Sequence, residues 1–152
     1  MNDSMSNRLY EIADNLARST PGFFDKKGPG AGNRATNEFM NELGARAESE
    51  FGVDYSEKHI CGENSLAVDF YFPSEKAIVE IALGLRNPNT EFEKDILKVV
   101  MAISNGNPVS KLLFVSKPGA ISKCHQPGRQ AVTAWVEANS GITVQVLELG
   151  AT

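Results

Sequence analysis

A chain of 152 residues, 41% hydrophobic and 22% charged, fits an ordinary globular protein large enough to bury a core. Its formal net charge of −4 gives no broad attraction to nucleic acid, so any such contact needs a local basic patch. No apolar run reaches the roughly 18 residues of a membrane helix. The first residues, MNDSMSNRLYEIADNLARS, lack the apolar centre of a signal peptide, and two cysteines do not suggest a disulfide scaffold. These features point to a single cytoplasmic domain over residues 1–152, without a membrane partner.

Taken in chain order, Ser6 is expected to cap a helix running to Arg18, with Leu9, Ile12, Ala13 and Leu16 on one face. STPGFFDKKGPGAGNRAT reads as a loop. A second helix is expected over 35–50, with Phe39, Met40, Leu43 and Ala47 as its stripe and Gly52 as its stop. A weak strand near 57–61 precedes LAVDFYFPSEKAIVEIALG, which reads as two strands and a tight turn. Residues 90–104 form the clearest helix, with Thr90 and Glu93 as a capping box and Phe92, Ile96, Val99, Val100 and Ile103 as the stripe. KLLFVS is a buried strand and KPGAISKCHQPG a loop. RQAVTAWVEANSG is a helix closed by Gly141, with Trp135 on its buried stripe, and ITVQVLEL is the last strand. The order predicts an α/β fold: a mixed sheet flanked by helices, in which strand 77–83 runs parallel to 111–116 and to 142–149.

The hairpin carries the chemistry. Leu66, Val68, Phe70 and Phe72 should share one face, and Ala67, Asp69 and Tyr71 the other. A turn of SE or PSEK pairs Phe72 with Ala77, which sets Asp69 directly opposite Glu80. Their Cβ atoms would then lie roughly 4.5–5.5 Å apart. Two carboxylates so close call for a divalent cation or a shared proton. The competing reading makes them solvent-facing acids on an edge hairpin, paired with Lys58 or Lys76.

VDFYFPSEKAIVEIALGLRNPNTEFEKDILKVVMA resembles the PD-(D/E)xK superfamily of restriction-endonuclease-like proteins. Asp69 matches the first acid, Glu80 the second and Ile81 the apolar spacer. The resemblance covers residues 35–149 and implies a restriction-endonuclease-like αβββαβ core with an added C-terminal αβ. It also implies Mg²⁺ or Mn²⁺ held by Asp69, Glu80 and the Ile81 carbonyl, and hydrolysis of nucleic acid phosphodiesters, with DNA preferred over RNA. Glu38 or Glu42 would match the family's acid on its first helix.

The departure is Ala82, where the family has lysine. Lys98 on the following helix is the first candidate for a migrated lysine, and Arg86 the second. Failing a migrated lysine, the chain is a natural pseudoenzyme or carries an inactivating substitution. A catalytically silent module that binds nucleic acid or protein is therefore the alternative function.

Lys26, Lys27 and Arg34 in the glycine-rich loop are candidate contacts to a nucleic acid backbone, with Arg86. Lys117, Lys123, His125 and Arg129 form a second basic segment. His59, Cys61, Cys124 and His125 lack usual zinc spacing. Cutting both strands of a duplex needs two sites, which makes a homodimer reasonable, with Leu9, Ile12 and Leu16 as a candidate interface.

Overall fold

The computed structural model describes residues 4–25, 32–86 and 90–151. Its elements run α1 (Met5–Ser19), α2 (Asn33–Phe51), β1 (Ser56–Lys58), β2 (Val68–Phe72), β3 (Ala77–Ile81), α3 (Glu91–Ser104), β4 (Lys111–Ser116), α4 (Ala120–Cys124), α5 (Pro127–Ser140) and β5 (Thr143–Glu148). The strands form one mixed sheet in the order β1-β2-β3-β4-β5. The β1–β2 and β2–β3 pairs are antiparallel, and the β3–β4 and β4–β5 pairs are parallel. The fold is α/β, with helices on both faces of the sheet.

Two apolar clusters explain that layering. Leu9, Leu16, Phe39 and Leu43 of α1 and α2 pack with Phe70, Phe72, Val79 and Leu113. Phe92, Ile96 and Val99 of α3, with Val136 of α5, pack against Tyr71, Ile78, Leu112 and Phe114 on the opposite face. The central strands β3 and β4 are thus covered on both sides, which is why they read as near-continuous apolar runs. Because Leu9 and Leu16 lie inside the core, they are not available as a dimer interface.

Several expected details differ. The cap of α1 is Ser4, whose Oγ accepts the Asn7 N–H at 3.2 Å. Ser6 is instead buried and donates its hydroxyl to Glu75 Oε1 at 2.8 Å, which ties the first turn to the β2–β3 hairpin. Thr90 precedes α3 but its side chain makes no capping hydrogen bond, so the expected capping box is not formed. The basic loop after β4 contains the short helix α4. Trp135 is 55% exposed, and Val136 takes the buried position. Gly52 and Gly141 do end α2 and α5 in the left-handed conformation.

β5 is an edge strand, and two of its main-chain groups are occupied. Glu137 Oε2 accepts the Val144 N–H at 3.0 Å, and the Tyr10 hydroxyl donates to the Glu148 carbonyl at 2.6 Å. Such contacts limit edge-to-edge pairing.

The burial pattern sets two stability expectations. Phe92→Ala removes a ring stacked 5.1 Å from Phe114 and should cost about 3–5 kcal/mol in chemical denaturation. Trp135→Gln should change stability by less than about 0.5 kcal/mol. Comparable losses in both would contradict the exposed placement of Trp135.

Candidate functional site

The hairpin register is the expected one: Phe72 pairs with Ala77, Tyr71 with Ile78 and Phe70 with Val79. Continued by one step, it sets Asp69 opposite Glu80. There the side chains take over from the main-chain ladder. The Asp69 N–H donates to Glu80 Oε1 at 3.1 Å, and the Ile81 N–H donates to Asp69 Oδ2 at 2.7 Å. Each carboxyl thus holds a main-chain amide of the facing strand. The edge-hairpin reading with Lys58 or Lys76 is therefore wrong. β2 and β3 are interior strands, and the acids face each other.

The side-chain alternation breaks at the same place. Phe70 and Phe72 join the α1–α2 core, whereas Val68 joins Tyr71 in the α3–α5 core, not Phe70 as expected. Across the sheet, Glu57 of β1 lies opposite Asp69, with a left-handed φ of 50°. A non-glycine residue in that region carries backbone strain, here beside the acid pair.

Lys98 completes the cluster from α3. Its Nζ lies 3.5 Å from Glu80 Oε2 and 3.2 Å from Asp95 Oδ1. The spacing of the sequence points to Lys98 as a migrated lysine, and the helix delivers its ammonium to the acids. Asp95 is a member that the sequence does not announce. It is 1% exposed and sits three residues after Phe92 on the inward face of α3. The available signal is a polar i,i+3 pair, Asp95 and Lys98, set into an apolar stripe.

Burial dominates the electrostatics. It raises the Asp69 carboxyl, against the Ile81 hydrogen bond and Lys98. It raises Glu80 well above the usual carboxylate range, with Asp69 and Asp95 adding repulsion and Lys98 opposing. Asp95 is raised to about 7, chiefly by burial, with Lys98 pulling it back down. For Lys98, burial disfavours the ammonium, but attraction to Glu80 and Asp95 outweighs it and raises the group.

The cluster is closed by α3 and opens toward α2. Asp69 lines two clefts there. One, of about 320 Å³, is bounded by Thr36, Met40, Ile81, Leu83 and Glu91. The other, of about 250 Å³, runs between α2 and β1 past Gly44, Glu48, Asp54 and Glu57. Asp69 and Glu80 are hard oxygen donors suited to Mg²⁺ or Mn²⁺. No group of three or more acidic, histidine or cysteine side chains among the described residues is arranged to hold a metal.

The remaining candidates lie elsewhere. Glu38 and Glu42 are engaged by Arg34 and Arg46 in exposed i,i+4 pairs on α2. Arg34 is thus at the surface, and Arg86 packs beside Gly119 in the loop after β4. Lys26 and Lys27 fall outside the described residues. Cys61 is buried, with its thiol directed at the Lys98 carbonyl, and Cys124 is buried near Arg129.

No family model, curated protein or solved structure matches the chain.

The raised acids give stability a definite pH dependence. Asp95 moves from an ordinary 3.8 to about 7 on folding, so between those values the native state binds more protons than the unfolded state. Stability should therefore fall as pH rises through that window, by at most ~1.4 kcal/mol per pH unit from this group. Asp95→Asn should flatten the slope in denaturant titrations at pH 5 and pH 8. An unchanged slope would place the proton elsewhere.

Proposed function

We propose that the chain is a metal-dependent nuclease-like protein of the PD-(D/E)xK kind, in which Lys98 stands in for the lysine missing at Ala82. The observation that carries this reading is the 3.5 Å approach of Lys98 Nζ to Glu80 Oε2, beside an Asp69–Glu80 pair facing each other across two strands. That combination of two strand acids and one ammonium is what phosphodiester hydrolysis of this class uses, and here the ammonium comes from α3.

Roles follow from placement. Asp69, which reaches the open clefts, and Glu80 behind it would hold Mg²⁺ or Mn²⁺, with the Ile81 carbonyl completing the set. The cation, when bound, would supply Lewis-acid polarisation of a phosphoryl oxygen and a water of lowered pKa. Lys98 would stabilise charge on the phosphoryl oxygens as it develops. Asp95 holds Lys98 at 3.2 Å within the cluster. The cleft walls carry Glu48, Asp54, Glu57 and Glu91, so a polyanion would approach only with cations present. DNA is the preferred substrate class. A homodimer is the arrangement that would allow both strands of a duplex to be cut, and it would use a surface other than Leu9 and Leu16.

A second reading has its own support. Asp69 Oδ2 and Glu80 Oε1 already hold strand amides, and Glu80 Oε2 faces Lys98. A cluster so satisfied internally also suits a catalytically silent module of the same fold that binds nucleic acid or protein.

Mn²⁺ or Mg²⁺ should raise the melting temperature of the chain, because a ligand that binds only the native state stabilises it. Asp69→Asn should raise the metal-free melting temperature and abolish the metal effect. In a cleavage assay with Mn²⁺, Lys98→Ala should lose about 10²–10³ in rate while metal affinity stays nearly intact. An equal metal response in Asp69→Asn would remove the site. Nucleic acid binding without cleavage over a range of substrates would select the silent module.

A further inference from the structure

The structure carries a second cationic site outside the acid cluster. Lys117 follows the last residue of β4 and is 0% exposed, and its Nζ has no hydrogen-bond partner. The ammonium sits 4.9 Å from the centre of the Phe23 ring, in the turn after α1. Among the described residues no carboxylate forms an ion pair with it. Its nearest charged influences are Arg86, which repels it, and Asp25, which attracts it more weakly.

Cation–π contact compensates only part of what a buried ammonium loses in hydration. Lys117 also keeps three unfilled donors, and Arg86 adds a second positive charge where opposite charge would be expected. Arg86 itself packs by its Cβ beside Gly119, two residues after Lys117, and pairs with no acid among the described residues.

Position adds chemistry. β3 and β4 run parallel, with Ile81 beside Val115. Arg86 follows the end of β3 by five residues and Lys117 follows β4 directly. Both cations therefore lie past the carboxyl ends of parallel strands, where α/β folds place ligands.

We propose that Lys117 and Arg86 form an oxyanion site for a phosphate group, with Phe23 as its apolar wall. The ammonium supplies point donors, and the guanidinium supplies a planar fork that matches two oxygens of one phosphate. The site does not depend on hydrolysis at Asp69 and Glu80. It would equally take inorganic phosphate or the terminal phosphate of a nucleotide chain.

The test is thermal unfolding of the full chain in rising sodium phosphate, with ionic strength held constant by NaCl. Phosphate should raise the melting temperature saturably. Lys117→Met should melt higher than the wild type without phosphate, since an unpaired buried charge is gone, and should show no phosphate shift. Arg86→Gln should weaken phosphate at least tenfold, and it decides the matter should Lys117→Met not fold. No saturable shift in the wild type would overturn the site, as would an equal shift in Lys117→Met or an unchanged affinity in Arg86→Gln. A 5′-phosphorylated dinucleotide and its unphosphorylated form separate the sources. Stabilisation by the phosphorylated dinucleotide, lost in the Lys117 and Arg86 variants, assigns a nucleotide chain. Stabilisation by inorganic phosphate alone assigns the free anion.

Discussion

The contact between Asp69 and Glu80 governs the middle of this molecule. Two carboxyls meet where β2 and β3 would otherwise continue their ladder, and each takes a main-chain amide of the other strand. The energetic problem is severe, since burial and mutual repulsion both oppose ionisation. Two things offset it: the strand amides and the ammonium of Lys98. Asp95 then balances Lys98 from behind. Removing the Lys98 ammonium would leave the buried acids without their counter-charge, whereas neutralising Asp69 relieves repulsion on Glu80.

Much of the local geometry follows from that contact. The hairpin turn fixes the register, and the register brings the acids together. Their hydrogen bonds to the strand amides coincide with the reversal of side-chain facing between Val68 and Phe70. β1 bends past the same point through the left-handed Glu57. The sheet is therefore regular where it is sealed between helices and irregular where Asp69 reaches the clefts.

The parts legible in the sequence are those set by short-range rules. Alternation and turn chemistry locate the hairpin and its pairing of Phe72 with Ala77. Period-3.6 stripes locate α1, α2 and α3, and glycine marks the end of α2. What the sequence hides depends on tertiary surroundings. Val68 faces the other core because the acids, three-dimensionally adjacent, override strand alternation. Trp135 lies outside and Val136 inside, because the α5 face that packs on the sheet is a residue away from the one its largest side chain suggests. Ser6 reads as a cap because Glu75, far along the chain, is not visible as its partner. Asp95 is not legible as a site residue because its role exists only once α3 is laid across β3. Lys98 is singled out in the sequence only through the resemblance, which would put a lysine where Ala82 stands; its contact with Glu80 depends on how α3 packs on the sheet.

The central question is whether Asp69 and Glu80 hold a cation while Lys98 stays beside them. A crystal structure of the full chain grown with Mn²⁺, with anomalous data, measures this directly. The expected result is one manganese peak between the two carboxylates, at about 2.1–2.2 Å from an oxygen of each, as oxygen-ligated small divalent ions require. Lys98 Nζ should then lie within a hydrogen bond's reach of Glu80 or of an oxygen bound to the metal. No peak there at millimolar manganese, with both carboxyls still on their strand amides, would contradict a metal-dependent site at this hairpin.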